Sequence, residues 1–253
     1  MRKIIILLAL LTVSFAVNIA VSPSHYYLKM DADSFTRKFF NVTNKGDEEI
    51  GVRVYMNDWI LKGDEKVFMP VGGTDYSLED SVQYYPSYLA LKPGESKQVM
   101  MNVRAEKNDT AGEYGVLFFE ARPKSQPKGS GLSFGGRIGS IIHKEITDRS
   151  LVNYSVAETK ANLSAKKLYY SFDILNKGNI LLRPELTILV LDGDNEVIAR
   201  KNVKNITAMS GQTKNVNDYL MLSSYSLKSK DITMLMTFDF GDDNIHMEEI
   251  VVR

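Results

Sequence analysis

The sequence predicts an all-β protein of two tandem β-sandwiches, and three observations carry that expectation. Strand-sized stretches in which apolar and polar residues alternate recur along the whole chain, and nothing longer than a turn or two has helical spacing. Tight-turn clusters separate them at regular intervals. The pattern of the first half then restarts in the second. Phe39-Phe40-Asn41-Val42-Thr43-Asn44-Lys45-Gly46 is answered by Ser171-Phe172-Asp173-Ile174-Leu175-Asn176-Lys177-Gly178, each followed by a further apolar strand.

In the first half the alternation predicts strands near 19–30, 35–43, 50–59, 66–69, 84–91, 97–104, 113–121 and 137–146. Lys92-Pro93-Gly94-Glu95 is a turn with a mechanism: proline fixes φ at the second corner and glycine permits a positive φ at the third. Val99, Met101 and Val103 alternate with Gln98, Met100 and Asn102, the mark of a strand with one buried face. After the next loop, Gly112-Glu113-Tyr114 opens another apolar strand. Its tyrosine stands where an immunoglobulin-like sandwich places the tyrosine that ties a loop crossing to the sheet. Trp59 ends an alternating strand and is expected to anchor the core. The second half offers strands near 167–175, 180–191, 197–202, 232–240 and 246–252. The boundary falls near Thr147–Leu151, which divides the chain into 1–16, 17–147 and 148–253, with a short hinge between the sandwiches.

Residues 1–16 have the layout of a cleaved signal peptide. Arg2-Lys3 is a positive start, 4–13 an apolar core, and Ser14 and Ala16 supply small residues at the positions read for cleavage. The apolar run falls well short of the ~20 residues a spanning helix needs. Export and a mature chain without an integral membrane segment are the expectation. Such a chain has no cysteine, so its stability rests on apolar cores, for which 44% hydrophobic residues supply the material. The charge balance of 31 Lys and Arg against 31 Asp and Glu is no footprint for nucleic acid.

The search for chemistry finds little. His25, His143 and His246 are spread over both halves without metal-ligand spacing. The glycines at 129, 131 and 135 precede an alternating strand, whereas a phosphate cradle needs a helix there. Asp192-Gly193-Asp194-Asn195 reads as a hairpin turn. No nucleophile and base stand in a recognisable pattern, so neither an enzyme, a metal site nor a cofactor is expected. Tyrosines at 26–27 and 84–88 leave open a sugar-stacking surface, against the plainer reading of cross-strand pairs. Between 121 and 137 runs a Pro-, Gly-, Ser- and Lys-rich stretch, expected to be a surface loop. Leu132 and Phe134 at its end and Ile138 just after it share one parity.

Taken in order, these residues resemble the periplasmic chaperones of fimbriae and pili. The resemblance is carried by Ala20-Val21-Ser22-Pro23, by Phe40, Val42, Asn44, Gly46 and Asp47, and by Asp58-Trp59. Tyr88-Leu89, Leu91, Pro93-Gly94-Glu95-Ser96, then Gly112-Glu113-Tyr114 and Phe118, complete it. It covers about residues 19–146, with Asn176, Gly178 and Asn179 an outline of it in the second half. It implies a periplasmic protein that binds pilin-like or other exported β-sandwich subunits by donor-strand complementation and meets an outer-membrane usher. The last strand of the first domain would be lent, its apolar side chains Leu132, Phe134 and Ile138 filling the subunit's open groove. Relatives also hold the subunit's terminal carboxylate with an arginine in the first strand and a lysine in the last. This sequence departs from that, offering His25 in the first strand and Arg137 and Lys144 in the last. Arg137 is the preferred anchor because a guanidinium grips a carboxylate bidentately. The competing readings are a two-sandwich structural or adhesive envelope protein and a carbohydrate-binding module.

Overall fold

The computed structural model describes residues 18–109, 111–124, 135–222, 232–242 and 244–252. The segment read as a signal peptide lies outside them, as do Leu132 and Phe134. Two β-sandwiches follow one another. The first holds β1 (Ile19–Ser22), β2 (His25–Met30), β3 (Ser34–Asn44), β4 (Ile50–Lys62), β5 (Glu65–Pro70), β6 (Val82–Tyr85), β7 (Tyr88–Leu91), β8 (Ser96–Ala105), β9 (Gly112–Pro123) and β10 (Gly136–Ile146). The second holds β11 (Tyr154–Ser164), β12 (Lys167–Asn176), β13 (Glu185–Leu191), β14 (Val197–Val203), β15 (Thr213–Met221), β16 (Ile232–Asp239) and β17 (Ile245–Val252). The last strand of the first sandwich thus ends at Ile146 and the first strand of the second begins at Tyr154.

In the first sandwich a sheet ordered β1-β3-β8-β6 faces a sheet ordered β2-β10-β9-β4-β5, with β7 added on β4. The alternation seen in the sequence becomes the core between them. Phe40 and Val42, Val99, Met101 and Val103, Val52 and Val54, and Leu117 and Phe119 are all nearly inaccessible. In the second, β11-β12-β15 faces β14-β13-β16-β17 over Phe172, Ile174, Ile188, Met234, Met236 and Phe238.

The echoed Asn-Lys-Gly is one device used twice. Asn44, fully buried, donates through its carboxamide to the carbonyls of Glu48 and Leu91 and accepts from the Gly46 N–H. Asn176, also fully buried, donates to Ile180 and Ala208 and accepts from Gly178. Each closes its own hairpin and pins a neighbouring strand or loop, meeting backbone groups that burial would otherwise strand. The Lys92–Glu95 turn forms as its chemistry requires: Gly94 has a φ of 73° and the Glu95 N–H bonds the Lys92 carbonyl at 3.0 Å.

Several expectations are corrected. The stretch 19–30 is two strands in different sheets, because the chain leaves β3 at Ser22-Pro23 and joins β10 from His25 on. The stretch 84–91 is divided likewise at Pro86, β6 going to β8 and β7 to β4. The strand expected from Ile180 begins only at Glu185, after a lone bridge between Leu182 and Ala208. β11 and β15 had no counterpart in the sequence reading: at the margins of a three-stranded sheet, they bury at most one residue fully and so carry little apolar alternation. Trp59 is buried, but against the second domain rather than in the first core. The Tyr114 hydroxyl makes no hydrogen bond among the described residues. Its loop is tied instead by the Tyr114 N–H bonding the Tyr76 carbonyl at 2.9 Å and by the two stacked rings.

Candidate functional site: an open strand edge and the cleft beside it

β10 has eleven residues, and its two sides are not equally occupied. Along one side it pairs with β9 over nearly its whole length, from Gly136 opposite Ala121 to Glu145 opposite Gly112. Along the other, β2 pairs with it in parallel only from Ile141 to Ile146. The covered part begins where the Ser140 hydroxyl donates to the Pro23 carbonyl at 2.9 Å and the Ile141 N–H donates to Ser24 at 3.0 Å. Among the described residues, no strand pairs with 136–139 on that side. An open edge of this kind is a template for another chain's backbone.

Ile138 lies on the open stretch. It shares the parity of Ile142, which is fully buried in the sandwich core, yet is itself only half-buried. A strand added there would lay its own inward side chains beside Ile138 at the rim of the core.

The other face of the sheet turns toward the second domain. Gly139 leaves room for Phe118, whose ring comes within 2.9 Å of where a Cβ would stand. Phe118 is flanked by Phe68 and Tyr55, with ring centroids 5.0 and 5.5 Å away. The Arg137 guanidinium covers it at 4.2 Å and reaches the Tyr55 hydroxyl at 3.3 Å. Toward the hinge the same face becomes an apolar joint, with Trp59, Tyr114, Val116 and Phe118 clustered with Leu181 and Met209 of the second domain. The Leu61 N–H against the Met209 sulfur and an ion pair between Lys214 and Asp64 also cross between the domains.

Beside the joint lies a cleft of about 600 Å³ between the two domains, lined by His25, Tyr27, Trp59, Lys66, His143 and Arg183 among others. Arg183, from the second domain, places its guanidinium 3.9 Å from the centre of the Tyr27 ring. His143 is packed among Tyr27, Trp59 and Tyr114. Burial, reinforced by the nearby Arg183 charge, lowers its pKa to about 3, so it stands in the cleft as a neutral imidazole.

The expected site residues therefore separate. His25 lines the cleft. Arg137 lies six residues from His143 along β10, roughly 20 Å away by strand rise, on the sheet face beside the open edge. Lys144 is corrected outright: its parity turns it inward, it is completely buried, and its ammonium is held by Ser81 and Asp109 at 2.6 Å and Glu113 at 2.9 Å. No client carboxylate reaches it without breaking that network. Lys66 and Arg183 of the cleft went unnoticed in the sequence. Nothing in their local pattern marks them, because only the domain packing brings them together.

The tyrosines do not form one platform. Tyr27 faces the cleft, Tyr85 belongs to β6 and Tyr88 to β7 in the opposite sheet, while Tyr26 turns back to bond the Phe39 carbonyl at 2.8 Å. Among the described residues no group of three or more His, Cys, Asp or Glu is arranged to hold a metal, and no helix is long and apolar enough to cross a membrane.

No family model and no curated protein matches the sequence. Solved structures do match the fold. A chain from a complex described as a chaperone–tip adhesin complex of CFA/I fimbriae biogenesis superposes with a TM-score of 0.51 at 13% identity, covering 92% of this chain and 98% of that one. The class 5 fimbriae chaperone CfaA gives a TM-score of 0.50 at 14% identity, with the same coverage. The chain thus has the two-domain, immunoglobulin-like fold of these fimbrial chaperones along nearly its full length.

Proposed function

We propose that this protein is a periplasmic chaperone that binds exported, pilin-like β-sandwich subunits by lending them the edge of β10. The observation that carries the reading is the division of that strand: β2 covers 141–146 and leaves 136–139 open, with Ile138 half-buried at the rim. A subunit lacking a strand would gain a backbone ladder from the open stretch and side chains for its groove from Ile138 and from Leu132 and Phe134, which precede it on the same parity. The shared fold supports this reading, and so does the signal-peptide-like layout of residues 1–16. An outer-membrane usher would then be the second partner, receiving the loaded subunit.

A carboxylate anchor, if the client uses one, belongs in the cleft. His25 of the original set lies there, joined by Lys66 and Arg183, while Lys144 is withdrawn and Arg137 serves the sheet face.

The test pairs co-purification of a small β-rich exported client with thermal unfolding. Leu132→Ser, Phe134→Ser and Ile138→Ser in one chain should abolish capture. Each apolar side chain withdrawn from a groove removes roughly 1.5–3 kcal/mol of binding. The melting temperature should change little. Full capture by the triple variant, or early unfolding of the free protein, would return β10 to a purely structural role.

A further inference from the structure

Four cations on the cleft-facing side of the β10-β9-β4-β5 sheet rest on aromatic rings. Arg137 lies 4.2 Å over Phe118, Arg53 5.1 Å over Tyr55 and Lys66 5.2 Å over Trp59, while Arg183 reaches across from the second domain to Tyr27 at 3.9 Å. Among the described residues none of the four forms an ion pair with a carboxylate. Glu120 stands between Arg53 and Arg137 across the sheet and is bonded by Arg122 at 2.5 Å, so three guanidinium groups share one carboxylate there. Elsewhere Lys124 pairs with Glu49 and Lys201 with Asp218, while Lys167 over Tyr219 and Arg37 over Phe35 are single cation–ring contacts rather than a row.

A ring holds a cation in place through its quadrupole without cancelling the charge. The four side chains are therefore exposed yet held in position, and around Glu120 the cations outnumber the carboxylate, a state in which a charged partner gains from meeting them and loses little entropy in doing so. Their placement follows the proposed site. Arg137 is on the open stretch of β10 itself, Arg53 two strands further into the sheet, and Lys66 and Arg183 at the cleft.

A strand hydrogen-bonded to 136–139 would set its two parities against different surroundings. Side chains of one parity would line up with Ile138 at the apolar rim, and those of the other would stand beside Arg137 on the cationic face, about 5 Å away across the ladder. We infer that this face selects an acidic strand: the bound polypeptide carries apolar residues on one parity and Asp or Glu on the other, with the first carboxylate meeting Arg137. This rests on β10 being the lent edge. It adds a chemical requirement on the client that edge pairing alone does not impose, and it makes capture faster and more salt-sensitive than apolar insertion would be.

The test uses synthetic strand peptides and the whole protein, with binding followed by fluorescence anisotropy at low and physiological salt. A peptide alternating Val with Glu should bind about tenfold or more tightly than one alternating Val with Ser, and a Val–Lys peptide should bind worst. The double variant Arg53→Gln/Arg137→Gln should bring the Val–Glu peptide down to the Val–Ser level, with its melting temperature checked against the parent. Equal binding of Val–Glu and Val–Ser peptides overturns the acidic requirement and leaves the lent edge standing. Undiminished Val–Glu binding by the double variant overturns it as well, as does binding of none of the peptides. A Glu–Ser peptide with no apolar parity that binds as tightly as Val–Glu supports the acidic face and removes the lent edge.

Discussion

The cleft histidine makes the protein acid-sensitive by an amount that can be worked out. His143 has 5% of its surface exposed and is enclosed by Tyr27, Trp59 and Tyr114, with Arg183 facing it from the second domain. Both conditions disfavour the imidazolium and bring the pKa from 6.5 to about 3. The unfolded chain, with an ordinary histidine, takes up a proton first as pH falls. Stability from this residue is therefore intact above about pH 6.5 and is lost progressively toward about pH 3. Integrating that difference gives a loss of roughly 2 kcal/mol between about pH 7 and about pH 5. His143→Phe keeps an aromatic ring among its neighbours and removes the proton. Urea unfolding across that range should show the parent losing about 2 kcal/mol more than the variant. The titratable groups nearest the imidazole are His25, Lys66, Arg183 and the tyrosines around it, and His25 is the one other histidine among them. A His25→Gln control, still steep, assigns the slope to residue 143. Parallel parent and His143→Phe curves would refute the account, showing that the folded imidazole takes its proton at no cost.

Two further outcomes follow from buried polar groups. Lys144→Met leaves the Glu113 carboxylate, already raised in pKa by burial, without its cation, and should cost about 3–5 kcal/mol in chemical unfolding. Lys144→Met/Glu113→Leu should be less destabilised than the single change; a double variant that is worse would mean the network is held together by packing. Asn176→Ala strands the Ile180 carbonyl and the Gly178 N–H and removes one of two donors from the Ala208 carbonyl, which should cost roughly 2–4 kcal/mol. Hydrogen exchange should show the loss of protection in β12 and β16 well before β8 and β9, and uniform loss through both sandwiches would mean the domains unfold as one.

Legibility in the sequence followed burial. Where a strand buries one full face, as β8 does with Val99, Met101 and Val103, the alternation stands out and the strand is found. Where it lies at a margin, as β11 and β15 do, cross-strand hydrogen bonds hold it without demanding an apolar row, so the sequence is silent. The paired asparagines were visible as an echo, but their three hydrogen bonds each were not, since those partners come from Leu91 and Ala208, far along the chain. The site divides in the same way. Ile138 and Arg137 sit on one alternating strand and could be read locally. Lys144 could not be judged, because its parity alone does not reveal that Asp109 and Glu113 wait inside. Lys66 and Arg183 belong to a site that exists only once two domains meet.

The extent of the open edge follows from the first strand. β1 is committed to β3, with Ser22 opposite Asn41, and Pro23 has no N–H to give to either sheet. The chain therefore first meets β10 through the Ser24 carbonyl, and its strand pairing starts at His25. From there six residues, His25–Met30, run alongside it before Asp31 and Asp33, the latter with a φ of 57°, turn the chain into β3. Six residues of β2 cannot cover the eleven of β10, and the shortfall necessarily falls at the N-terminal end of β10, because the two strands run parallel and share their C-terminal ends. That end is also where the Gly- and Ser-rich sequence before Gly136 enters the strand. The crossing between sheets at Pro23 thus sets which part of β10 is covered by β2 and which part of its edge is open. Moving that crossing toward the N-terminus should close the edge without changing residues 136–139.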